Sequence, residues 1–155
     1  MAISGHRGLP ADTTALVDEA IRKLLVERGR PVRGISCLAD GADQIFARAV
    51  LDLGGTLEAV IGSAGYRAGL PAPARGEFDA LVTAARRVHR LPFAEPTNES
   101  YMQASRHMLD LAGELFAVWD GRPARGYGGT ADVVAEARGR GMPVLVIWPD
   151  GARRE

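Results

Sequence analysis

The stretch Leu115-Phe116-Ala117-Val118-Trp119, running into Asp120-Gly121, decides the fold. Five consecutive apolar residues leave no polar face, so a strand made of them has both faces buried. Val144-Leu145-Val146-Ile147-Trp148 has the same character near the end of the chain. Such strands belong to a parallel sheet covered by helices on each side. Four more strand-length runs lie upstream, at Ala2–Ser4, Gly34–Cys37, Leu57–Ile61 and Arg87–Leu91. Between them the apolar residues recur at helical spacing.

Leu16, Val17, Ala20, Ile21, Leu24 and Leu25 stripe a first helix, with Asp12 or Thr13 as N-cap and Gly29 as the stop. Ala42, Ile45, Phe46, Ala49 and Val50 stripe a second, which ends at Gly54-Gly55. A third runs from about Ala74 through Phe78, Leu81, Val82 and Ala85. A fourth follows Thr97, and a fifth begins after Gly129 and buries Val133, Val134 and Ala137. The Gly- and Pro-rich segment from Gly62 to Arg75 reads as a loop. Repeated βα units with right-handed crossovers predict an α/β, Rossmann-like three-layer sandwich, with a mostly parallel, doubly wound sheet of about six strands. Residues 1–149 form a single domain in this reading, and residues 150–155 form a short, frayed C-terminal tail.

Composition narrows the function. The chain has 155 residues, and its 19 Lys+Arg balance its 19 Asp+Glu. A neutral chain with 6% aromatics does not point to a basic groove with stacking platforms, so nucleic acid is not the expected partner. A lone Cys37 rules out an internal disulfide framework and a multi-thiolate metal site. His6, His89 and His107 have no metal-ligand spacing, so no metal is expected. No apolar run approaches the roughly 20 residues that span a bilayer, and no secretory signal is visible, which predicts a cytoplasmic protein without a membrane partner. Neither G-x-G-x-x-G after the first strand nor G-x-x-x-x-G-K-[ST] occurs, so no dinucleotide or ATP cofactor is expected. Only Lys23 of the 19 basic residues is lysine; arginine forks suit phosphate, but the codon bias of a GC-rich genome explains the excess as well.

In a doubly wound sheet, ligands sit beyond the carboxyl ends of the strands. The first strand leaves through Gly5-His6-Arg7-Gly8, where glycines permit a close backbone approach and Arg7 can fork onto a phosphate. His6 there serves phosphate binding or proton transfer, or is merely solvated. The second leaves through Cys37-Leu38-Ala39-Asp40-Gly41-Ala42-Asp43, a small-residue turn opening a helix, where free amides favour an anion. Asp43 caps that helix or holds a ribose hydroxyl. Tyr66 and Arg67 follow the third strand, as a stacking face and a phosphate partner or as surface residues. Trp119-Asp120 ends the fifth strand, and Gly128-Gly129-Thr130 opens the last helix as a compact phosphate cradle.

At these loops the chain resembles the SLOG superfamily, which joins DNA-processing protein A to the "Lonely guy" cytokinin-activating enzymes, and most of all its small bacterial nucleotide-binding members. Ser36-x-Leu38-Ala39-x-Gly41-Ala42-Asp43 is similar to the S-G-L-A-x-G-x-D pattern of the DNA-processing proteins. Met108-Leu109-Asp110-Leu111-Ala112 and Gly128-Gly129-Thr130 are similar to the stretch before and within the P-G-G-x-G-T-x-x-E motif of the phosphoribohydrolases. Gly5-His6-Arg7 and Tyr66-Arg67 extend the likeness. Val133 stands where those hydrolases have a Glu, and Ala104 where they have an Arg; Arg106 and Glu136 are near but displaced. The resemblance implies a Rossmann-like domain that binds or senses a nucleotide or nucleotide-derived molecule, with phosphate on Gly128-Gly129-Thr130 and the Gly41 turn, and homo-oligomers. Its alternative is a nucleoside-monophosphate phosphoribohydrolase, whose weak catalytic candidates here are Asp120 and Glu136. Single-stranded DNA binding is the weaker alternative.

Overall fold

The structure, a computed structural model, describes residues 1–154. Six strands, β1 (Ala2–Gly5), β2 (Arg33–Ser36), β3 (Thr56–Ser63), β4 (Arg87–Phe93), β5 (Leu115–Val118) and β6 (Val144–Ile147), form one sheet in the order β4-β3-β2-β1-β5-β6. Every pairing is parallel, as the apolar runs require. The helices are α1 (Ala11–Glu27), α2 (Ala42–Asp52), α3 (Tyr66–Gly69), α4 (Ala72–Ala84), α5 (Asn98–Asp110) and α6 (Thr130–Gly139). The α/β, Rossmann-like doubly wound sandwich is therefore present. Strand order reverses between β1 and β5, which opens a crevice at their carboxyl ends.

Alternation along the strands divides the core. Ala2, Leu115 and Ala117 pack beneath α5 and α6 with Met102, Met108, Leu109, Val133 and Ala137. Ile3, Phe116 and Val118 point to the other face, against Val17, Ile21, Phe46 and Val50 of α1 and α2. Leu57, Ala59 and Ile61 of β3 extend that layer toward Phe78 and Leu81 of α4. Phe46 and Phe116 meet edge to face with centroids 6.1 Å apart, which adds about 0.5–1.5 kcal/mol beyond burial.

Three expectations need correction. The segment from Gly62 to Arg75 is not one loop: β3 continues to Ser63, α3 makes a single turn, and α4 starts at Ala72 behind Pro71. A Pro just before or at the start of a helix sacrifices no hydrogen bond there. Pro10, not Asp12 or Thr13, is the N-cap of α1; Thr13 is buried and exchanges hydrogen bonds with the backbone of Arg153. That contact, together with an Arg153–Asp12 ion pair, packs Arg153 against the start of α1. Finally, β6 is an edge strand covered only in part, with Leu145 at 38% and Val146 at 40% exposure, not buried on both faces.

Candidate functional site

A cavity of about 420 Å³ opens at the carboxyl ends of β1, β2 and β5, a size that suits a small ligand. Its walls include Gly5, His6 and Arg7 after β1, Cys37, Ala39 and Asp43 after β2, and Asn98, Tyr101, Ala104 and Ser105 from α5. The loop from Arg122 to Ala131 and Arg154 complete it. Arg7, Arg122, Arg125 and Arg154 are among the lining residues, Arg7 paired with Asp40 and Arg154 with Asp120, and Asp43 is the only acid among the described lining residues.

The β1 loop is held in place on both sides. Gly41 has φ +89°, and a Cβ there would lie 2.5 Å from the His6 carbonyl, so only glycine lets α2 start this close. Ala42 N–H donates to that same carbonyl. Arg7 Nε donates to Asp40 Oδ1 at 2.8 Å, and Gly8 N–H donates to the other oxygen. Asp40 thus aims Arg7, whose guanidinium lies 5.9 Å from the Tyr101 ring centroid. The turn after β2 includes buried Leu38 at φ +60°, a left-handed backbone fixed by Leu38 N–H donating to Ser36 Oγ and by Gln44 Nε2 donating to the Leu38 carbonyl.

His6, only 5% exposed, takes the Asp120 N–H on Nε2 at 3.0 Å. The same Nε2 lies 3.2 Å from Asp120 Oδ1, and burial followed by the Arg154 charge lowers the pKa of the ring against the pull of Asp120. Asp120 Oδ1 accepts from Arg122 N–H, and the Trp119 indole N–H donates to the Arg122 carbonyl. Both residues shape the loop and neither lines the cavity; Asp120 borders the adjoining groove with Arg153 and Arg154.

The glycine turn before α6 is also more specific than its sequence suggested. Gly128, at φ +91°, donates its N–H to Asp132 Oδ2, and Gly129 donates to the Gly126 carbonyl. Among the described residues, the amides without a hydrogen-bond partner at this helix start are those of Thr130 and Ala131, both on the cavity wall. Gly128 and Gly129 therefore shape the cradle, and the next two residues present its donors.

The structure brings Gly5, His6, Arg7, Asp43, Tyr66, Gly128, Gly129 and Thr130 together around one cavity. Tyr66 is a buried wall in ring contact with Phe78 and Tyr101, and burial raises its phenol. Asp40, Gly41, Trp119 and Asp120 stand behind the wall as supports, while Arg67 lies outside it and forks onto Asp79 at 2.8 Å. Glu136 lies outside as well, bound to Arg106 and Arg140. Burial pushes the Cys37 thiol well up, away from thiolate chemistry. The sequence reading missed Asn98, Tyr101 and Arg154, which come from elements distant in the chain; Arg122, Arg125 and Tyr127 sat between two stretches it had singled out. Among the described residues, no group of His, Cys, Asp and Glu is arranged to hold a metal, and no helix is long and apolar enough to cross a membrane.

No family model matches the chain, and no curated protein does. Solved structures do match in fold. DNA processing protein A (DprA) from Streptococcus pneumoniae is similar at 20% identity and TM-score 0.69, over 97% of this chain and 50% of that one. DNA processing protein A from Helicobacter pylori, described with a single-stranded DNA binding mode, is similar at 15% identity and TM-score 0.66, over 99% of this chain and 67% of that one. The Moco carrier protein of Chlamydomonas reinhardtii follows at 18% and 0.52, over 94% and 73%. The chain spans about half the length of the first of these proteins. It has the Rossmann-like fold of the DNA-processing proteins, as the resemblance implied.

Proposed function

We propose that this chain binds a nucleotide or nucleotide-derived phosphorylated molecule in the cavity between the β1 and β5 loops. One observation carries the reading: four arginines line one cavity at the point where strand order reverses, together with two helix-start amides that have no partner among the described residues. The phosphate sits on the amides of Thr130 and Ala131 with Arg7 across from them, where helix dipole and guanidinium act on the same anion. Neutral His6 lends a wall and no positive charge. Neither Asp120 nor Glu136 reaches the cavity, so the ligand-binding or sensor reading stands ahead of N-glycosidic cleavage.

A titration of nucleoside monophosphates followed by thermal unfolding tests this. A ligand at 100 times its Kd adds about 2.7 kcal/mol of stability, a rise of several degrees for a domain this size. No shift with any nucleotide or with ribose 5-phosphate would refute the reading. Single-stranded DNA is the second reading, favoured by the groove that continues from the cavity past Arg122, Arg125, Arg153 and Arg154. Retention on an oligonucleotide that weakens steeply with salt would support it.

A further inference from the structure

The acid in the cavity has no evident structural need to be an acid. Asp43 is 7% exposed on the first turn of α2 and lines the cavity. One carboxylate oxygen accepts the Ala39 N–H at 3.3 Å, and among the described residues the other accepts nothing. Asparagine would serve Ala39 equally well, without burying a charge. Of the groups around Asp43, Arg7 already donates to Asp40, while Cys37 and Tyr66 are held in their neutral forms by burial. The carboxyl is pushed up to about 7, chiefly by burial, against the opposing pull of the Ala39 N–H and Arg7. Among the described residues the second carboxylate oxygen has no donor, and the cavity is where one can arrive.

Resting on the binding proposal above, we infer that Asp43 is the specificity-determining residue of the cavity, accepting the adjacent amide N–H and amino group of a 2-amino-4-oxopyrimidine ring. Guanine and pterins share that edge, in which two donors lie side by side at the spacing of carboxylate oxygens. The arginines and the α6 amides hold the phosphate end at the mouth while the ring enters toward Asp43. An adenine offers its amino group beside an acceptor nitrogen, so it leaves one carboxylate oxygen facing a lone pair. The cavity's polarity, cations at the rim and a single acid deeper in, sets the ligand's direction.

The test is calorimetric titration at pH 8 of wild-type protein and Asp43→Asn with GMP, IMP, AMP, 6-hydroxymethyldihydropterin diphosphate and ribose 5-phosphate. Wild type should bind GMP or the pterin at least tenfold more tightly than AMP, with IMP, which lacks the amino group, in between; the tighter of the two names the source of the ring. Asp43→Asn should lose that preference yet keep ribose 5-phosphate affinity, which also shows that the variant is folded. An unchanged GMP-to-AMP ratio in Asp43→Asn, or no base preference in wild type, overturns the assignment while leaving phosphate binding intact. Failure of every compound, ribose 5-phosphate included, overturns the binding proposal and this one together.

Discussion

Replacing Asp43 with Asn should change stability by an amount that depends on pH, and the magnitude follows from the structure. The unfolded carboxyl has its ordinary pKa near 3.8, whereas in the fold it is pushed up to about 7. Between these values the native state keeps a proton that the unfolded chain has released, so wild-type stability falls as pH rises through that window. The slope is about 1.4 kcal/mol per pH unit, giving about 4 kcal/mol across the whole interval. Asn is neutral throughout and still accepts the Ala39 N–H. The stability of Asp43→Asn relative to wild type should therefore rise by about 4 kcal/mol from pH 4 to pH 8, and titrations of other groups cancel in the difference. For a domain this size that is on the order of 10 °C in Tm. Urea unfolding of both proteins in matched buffers at four pH values measures it directly. A difference that stays flat from pH 4 to pH 8 would refute the idea that burial outweighs the pull of Arg7 on this carboxyl.

Arg7→Ala should weaken nucleotide or ribose 5-phosphate binding about tenfold or more in calorimetry, the worth of a charged hydrogen bond, with little change in Tm. His6→Leu strands the Asp120 N–H and should cost about 1–3 kcal/mol in urea unfolding. Because the His6 pKa is lowered in the fold, wild type should also lose stability as pH falls below the ordinary value of 6.5; that component should vanish in His6→Leu. Gly41→Ala forces a side chain into left-handed backbone against the His6 carbonyl and should cost at least about 1–3 kcal/mol by the same measurement. Homo-oligomers, if they form along the partly covered β6, should shift toward monomer in sedimentation velocity on Val146→Lys, and an unchanged distribution would exclude that edge.

β5 was legible because burial on two faces writes itself as an unbroken apolar run, and all six strands lie within two residues of the strand-length segments read from the sequence. β6 misled for the same reason: Leu145 and Val146 look like core residues, and sequence does not say that a strand ends the sheet. α3 was invisible because four residues carry no helical period. At the site, the loops after β1, β2 and β5 were readable from their glycines, yet which amides remain free was not. That depends on the reach of Asp132 back to Gly128 and of the Gly126 carbonyl to Gly129. Asp43 was read as a cap or a ribose ligand; that the Arg7 Nε–H goes to Asp40 and not to Asp43 is visible only in the structure.

The central position of β1 has a kinetic consequence. β1 pairs on one side with β2, which follows soon after, and on the other with β5, which begins at Leu115, more than a hundred positions later. During synthesis at about 5–20 residues per second, the flank of β1 that will receive β5 stays open for several seconds at least, an apolar ribbon awaiting its neighbour. Truncations ending before Leu115 leave that flank uncovered and should aggregate or be captured by chaperones.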